Sequence, residues 1–161
     1  MFELNTTPTS SKAETYALLQ QQAEALFHGE RNAIANAANL ASLIWHTLPG
    51  LNWAGFYLFD GTELVLGPFM GKPACVRIAL GRGVCGTAAT TRVTQLVEDV
   101  HAFPGHIACD SASNSEIVLP LVRDGVLLGV LDLDSPLLAR FDTEDRAGLE
   151  RVAASWISAS S

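Results

Sequence analysis

Two apolar runs, Glu116 to Val122 and Val126 to Asp134, constrain this chain more than any other feature. Asp124-Gly125 between them is a hairpin-turn sequence, so they pair as antiparallel strands. Acids are scarce in buried strands, because an unpaired carboxylate removed from water costs several kcal/mol. Glu116, Asp132 and Asp134 nevertheless stand in these runs. Side chains alternate across a strand, so the turn decides whether the three meet. A two-residue Asp124-Gly125 turn pairs Arg123 with Val126 and sets Glu116 opposite Leu133, facing away from the aspartates. A three-residue Arg123-Asp124-Gly125 loop, with Gly125 left-handed in a bulge, pairs Val122 with Val126 and sets Glu116 opposite Asp132. The residues permit both turns. We expect the second, with Gly125 at positive φ, because it brings the carboxylates together.

The stretch ahead of the first run is His106-Ile107-Ala108-Cys109-Asp110, continuing through small, turn-prone residues to Glu116. It places the Cys109 thiol in a loop feeding a buried strand, where chemistry is commonly carried. Cys75 and Cys85 lie upstream. The segment Leu80-Gly81-Arg82-Gly83-Val84-Cys85-Gly86-Thr87 reads as a glycine-rich turn opening a short helix, whose unpaired N–H groups would lower the pKa of Cys85. It lacks the Gly-Lys-Ser/Thr ending of a phosphate loop, so no nucleotide is expected. Glu98 to Ser115 reads as a long loop in which His101 and His106 are solvated. No tight pair of ligands anchors a metal there, and neither metal nor cofactor is expected.

Ahead of these lie two amphipathic helices. The first starts near Lys12 with Tyr16, Leu19, Ala23, Leu26 and Phe27 at helical spacing; the second, capped by Asn32, has Ile34, Ala37, Ala38, Ala41, Ile44, Trp45 and Leu48 as its apolar face. Trp53 to Phe59 and Glu63 to Leu66 read as a hairpin, Gly67 to Pro73 as a loop, and Cys75 to Ala79 and Thr94 to Val97 as short strands. On the first of these strands Trp53 and Tyr57 share a face, with a gap between them at Gly55. A last helix is capped by Asp142 or Thr143, and Ser158 to Ser161 should fray. The expected architecture is α+β: about six antiparallel strands, helices on one face and a loop-covered pocket on the other. Residues 1–11 form a flexible leading segment and 12–158 one domain. A net charge of −7 opposes nucleic acid and anionic membranes as partners, since their affinity comes from Lys and Arg. Three cysteines without an export signal suggest a reducing, cytoplasmic setting in which disulfides are catalytic.

Five stretches together carry a resemblance: Asn52-Trp53-Ala54-Gly55-Phe56-Tyr57, Gly81 to Thr87, His106 to Asp110, Ser113 to Pro120, and Gly129-Val130-Leu131-Asp132-Leu133-Asp134-Ser135. They resemble the free methionine-(R)-sulfoxide reductases, a catalytic branch of the GAF domains, across roughly residues 12 to 158. Ordinary GAF domains share the sheet without this set of three cysteines and three carboxylates. The resemblance implies an enclosed pocket, a homodimer, and reduction of free methionine sulfoxide at the expense of thioredoxin.

The residue types suit that chemistry. Sulfoxide reduction needs a thiolate to attack sulfur, an acid to protonate the departing oxygen, and a second thiol to turn the sulfenic acid into a disulfide. Mutual repulsion among Glu116, Asp132 and Asp134 would keep one carboxyl protonated, while another, ionised, holds the substrate ammonium. Trp53 and Tyr57 would wall the methyl end. The resemblance implies that Cys109 attacks and Cys75 resolves, with Cys85 as an alternative resolving or attacking thiol. A ligand-sensing GAF module without turnover is the competing reading.

Overall fold

The computed structural model describes residues 1–107 and 109–161; Ala108, inside the His106–Asp110 motif, lies outside the described residues. Strands β1 (Trp53–Phe59), β2 (Glu63–Gly71), β3 (Arg77–Ala79), β4 (Gln95–Val97), β5 (Ser115–Arg123) and β6 (Val126–Ser135) form one sheet in the order β3-β2-β1-β6-β5-β4. Every neighbouring pair is antiparallel. Helices α1 (Lys12–Phe27), α2 (Ala33–Thr47) and α4 (Thr143–Ala159) pack with one face of the sheet, burying Phe56, Ile117, Leu119, Leu131 and Leu133 among Leu19, Leu40, Ile44, Leu149 and Trp156. The fourth helix, α3 (Gly83–Thr91), the short helix expected at Cys85, packs on the opposite face, beside the loops expected there. No described helix is long and apolar enough to cross a membrane.

The β5–β6 turn differs from the expected one. Arg123 faces Val126, and Asp124 (φ 50°) and Gly125 (φ 78°) are both left-handed, as a two-residue type I′ turn requires. Three residues later the parity is reversed: Val122 faces Leu127 but Leu121 faces Gly129, so Leu128 is left over as a bulge. Glu116 therefore lies opposite Asp134, and Val118 opposite Asp132. The carboxylates converge as expected, through a bulge in β6 instead of a longer loop. Gly129 beside that bulge runs so close to β1 that a Cβ on it would collide with the Tyr57 carbonyl.

Other departures have local causes. β2 continues through Gly67 to Gly71, which read as a loop because Pro68 has no N–H to donate. Pro68 is accommodated where the β1–β2 register slips between Gly55 and Tyr57. Cys75 precedes β3 instead of starting it. On α2 the buried face contains Asn36, Leu40 and Leu43, while Ile34 and Ala38 are exposed. The Asn36 amide donates to Glu30 O and Ser160 Oγ, so the carboxyl end is tied down where fraying was expected. Asp142 caps α4 in a reciprocal box with Asp145.

Candidate active site

On the α3 side of the sheet, β1, β5, β6, α3 and the two cysteine-bearing loops enclose a cavity. Seven of the eight residues singled out as site candidates line it, Trp53, Tyr57, Cys85, Cys109, Glu116, Asp132 and Asp134; Cys75 stands behind the wall, next to the lining residue Ala74 and bonded to Cys109. Strand pairing does most of this work, because Asp134 faces both Glu116 on β5 and Trp53 on β1. Trp53 and Tyr57 are stacked with ring centroids 5.8 Å apart, closing the gap expected at Gly55. Gly55 instead admits Phe69, with whose Cβ a side chain would collide. Phe69 in turn stacks on Trp53.

The two rings also hold the loop that carries Cys75. Trp53 Nε1 donates to the Lys72 carbonyl at 3.1 Å, and the Tyr57 hydroxyl donates to the Cys75 carbonyl at 2.9 Å. Burial, reinforced by the charges of Asp132 and Cys85, pushes the Tyr57 phenol far above its ordinary range, so it remains a donor.

Glu116, Asp132 and Asp134 are only 5%, 5% and 9% exposed. Burial raises the pKa of all three. Glu116 and Asp134 are raised furthest, first by burial and then by the charge of Asp132. For Asp132 burial is opposed by hydrogen bonds from Glu116, Cys85 and Asp134. Burial and mutual repulsion thus favour a partly protonated cluster, acting more strongly on Glu116 and Asp134 than on Asp132. Asp132 Oδ1 is buried and has no hydrogen-bond partner among the described residues.

Cys75 and Cys109 are joined in a disulfide with Cα atoms 5.7 Å apart, tying the loop before β3 to the loop before β5. Cys85 is a free, buried thiol. It occupies the first turn of α3, but the expected lowering of its pKa does not follow. Burial, then the charges of Asp132, Glu116 and Asp134, push the thiol well up. Its Sγ donates to Glu116 Oε1 at 4.0 Å.

Sequence reasoning missed His106. It was expected in solvent, yet its ring lines the cavity with Nε2 3.9 Å from Glu116 Oε2, and burial lowers its pKa. The signal was its place three residues before Cys109. His101 is exposed and contacts Asp99. Asn52 was also missed: its amide donates to Asp110 Oδ2 and Ser113 Oγ, both at 3.0 Å, fixing the end of the Cys109 loop against β1. Lys72 and Arg82 bring positive charge to the cavity wall.

Comparisons with known proteins follow the same lines. The GAF domain family model matches residues 35–155. The free methionine-R-sulfoxide reductase of Escherichia coli is 54% identical over 144 residues, covering 89% of this chain and 87% of that protein. A crystal structure from Burkholderia vietnamiensis, described as a GAF sensor protein, is 65% identical with a TM-score of 0.91, over 94% of this chain and 96% of that one. The free methionine-R-sulfoxide reductase of Neisseria meningitidis, solved in complex with its substrate, is 45% identical with a TM-score of 0.94, over 99% of this chain and 95% of that one.

Proposed function

The chain belongs to the free methionine-R-sulfoxide reductase family of GAF domains, and on that premise we propose that it reduces free methionine-(R)-sulfoxide to methionine through Cys109 and Cys75. The observation that carries this reading is the Cys75–Cys109 disulfide at a cavity walled by three buried carboxyl groups. The Asp132 carboxylate pairs with the substrate ammonium, giving its unpartnered Oδ1 a donor. Lys72 and Arg82 supply positive charge for the substrate carboxylate, and Trp53 and Tyr57 pack on the methyl end.

Cys109 attacks the sulfoxide sulfur as the S–O bond breaks. Glu116, kept protonated by burial and its acidic neighbours, gives its proton to the departing oxygen, with Asp134 opposite it across the β5–β6 pair. The hydroxide so released attacks the Cys109 sulfur of the resulting Cys109–sulfonium adduct, the S–S bond breaks, methionine leaves with that electron pair, and Cys109 carries the sulfenic acid. The Cys75 thiolate then attacks the Cys109 sulfur, hydroxide leaves and takes up a proton as water, and the disulfide forms. A thioredoxin-type dithiol reduces that disulfide and is itself oxidised. Cys85 has no obligatory step, since its pKa is raised and it lies outside the disulfide.

Turnover of the (R) and (S) epimers of free methionine sulfoxide, with thioredoxin as reductant, tests the reading. Reduction of the (R) epimer is expected. Turnover of neither epimer, or binding without consumption of reductant, would indicate a sensor. Cys109→Ser should abolish even the first turnover without reductant. Cys75→Ser should release one methionine per site and accumulate sulfenic acid, and Cys85→Ser should keep most of the first turnover. Loss of that turnover in Cys85→Ser with its retention in Cys109→Ser would exchange the two roles.

A further inference from the structure

The proposed cycle leaves Cys85 unused, although it sits at the floor of the cavity beside two buried acids. We propose that Cys85, Glu116 and Asp132 form a binding site for a thiophilic divalent cation of the Zn²⁺ class, which takes the place of the substrate ammonium and inhibits the enzyme. The inhibition rests on the functional reading above; the binding does not.

One donor atom from each of the three residues lies within 4.8 Å of the other two. Zinc–sulfur and zinc–oxygen bonds of about 2.3 and 2.0–2.2 Å place neighbouring donors roughly 3.5 Å apart in a tetrahedron. Side-chain torsions need close the trio by only about 1 Å to meet that spacing. The donors come from α3, β5 and β6, three packed elements that hold them without a loop having to fold around the ion. An independent observation also points to a cation: Asp132 Oδ1 is buried and accepts no hydrogen bond among the described residues. A buried carboxylate oxygen in that state is stabilised by a positive ligand.

The donor types choose the ion. Mg²⁺ and Ca²⁺ take six or more oxygens, and a thiolate is a poor ligand for either. One sulfur with two carboxylates suits Zn²⁺ and its relatives Co²⁺ and Cd²⁺, which accept mixed sulfur and oxygen shells. Water completes the tetrahedron, and His106, with Nε2 3.9 Å from Glu116 Oε2, borders the trio without belonging to it. The thiol proton and the protons shared by the acids leave to solvent as the ion enters. The Cys75–Cys109 pair takes no part, so the site exists in the oxidised chain as well as the reduced one.

That independence supplies the test. In the full chain with its Cys75–Cys109 disulfide intact, Cys85 is the one free thiol. Titration with Co²⁺ should saturate at about one equivalent and develop a sulfur-to-cobalt charge-transfer band, which Zn²⁺ reverses. Cys85→Ser should lose the band, and Asp132→Asn should weaken binding at least about tenfold. Free methionine sulfoxide should compete with the ion. A Co²⁺ spectrum without the sulfur band, or a band that survives in Cys85→Ser, overturns the proposal. Should Cys85→Ser misfold, ¹¹³Cd NMR of the unmodified oxidised chain decides the matter: a sulfur-shifted resonance supports the site, and an all-oxygen shift or none overturns it. Turnover of the metal-free chain is measured separately. A chain that binds Co²⁺ through Cys85 but never turns over keeps the site and loses the reductase reading, whereas turnover without Co²⁺ binding does the reverse.

Discussion

Two buried aspartates, one on each side of the sheet, show how differently the same side chain can be employed. Asp145, at the start of α4, is 1% exposed and fully engaged: it accepts from Tyr16 at 2.7 Å, from Lys12 at 2.6 Å and from Arg140 at 3.4 Å, and it closes the capping box. Asp132 on β6 is nearly as buried, yet its neighbours are two further acids and a thiol, and one of its oxygens has no partner. Around Asp145 the fold supplies the counter-charges itself. Around Asp132 it supplies hydrogen bonds from acids and a thiol but no counter-charge. The neighbouring residues on β6 sharpen the contrast, because Leu131 and Leu133 point into the helix-covered core while Asp132 and Asp134 point into the cavity.

The contrast is broken most directly through the substrate. If Asp132 depends on the substrate ammonium for its partner, acetylating that amine removes the charge and costs about 3–5 kcal/mol. The expected result is a fall in kcat/KM of two to three orders of magnitude or more between free and N-acetylated methionine sulfoxide. Comparable values for both would show that the acids do another job. The next largest effect compares stabilities. Asp145→Asn removes the partner of Lys12 and Arg140 and disturbs the cap, so urea denaturation should show a loss of about 2–3 kcal/mol, the exposure of Lys12 having reduced the ion-pair part. Asp132→Asn should stay within about 1 kcal/mol of the parent, or exceed it, because it removes a buried charge that lacks a counter-charge. Equal losses in the two variants would erase the distinction.

A smaller effect concerns pH. Burial and acidic neighbours raise the Glu116 carboxyl in the folded chain above its unfolded value. The folded chain therefore binds a proton that the unfolded chain releases. The associated stability is fully present below the ordinary carboxylate range and is lost as pH rises through the raised value. Between about pH 5 and about pH 8 the parent should lose stability more steeply than Glu116→Gln, by about 1 kcal/mol or more. Parallel pH–stability curves would remove the argument for a protonated Glu116.

The sequence-level reading succeeded where the signal is local. The caps of α2 and α4, the left-handed Gly125 and the β1–β2 and β5–β6 hairpins all follow from residues adjacent in the chain. It failed where a distant contact decides. Nothing in Leu127-Leu128-Gly129 announces a bulge, because its setting is the approach of the β1 backbone to Gly129. Cys85 looked activated because a helix terminus is visible in sequence, whereas the three acids and the burial that overrule it are assembled by the sheet. His106 reads as solvated because its one mark in sequence, the place three residues before Cys109, does not say what will fold over the loop. Pro68 hid the second half of β2, since a residue that ends most strands is tolerated where two strands slip past one another.

The disulfide spans 34 residues of sequence. As a polymer crosslink of that length it removes conformational freedom from the unfolded chain worth about 4 kcal/mol in the chain-entropy account. A crosslink formed and cut in each proposed turnover makes that contribution periodic. The protein is then toughest when oxidised and spent, and most easily unfolded when reduced and ready to react. Its resistance to denaturation becomes a clock hand for the cycle, and a shortage of reductant, which halts catalysis, also preserves the fold.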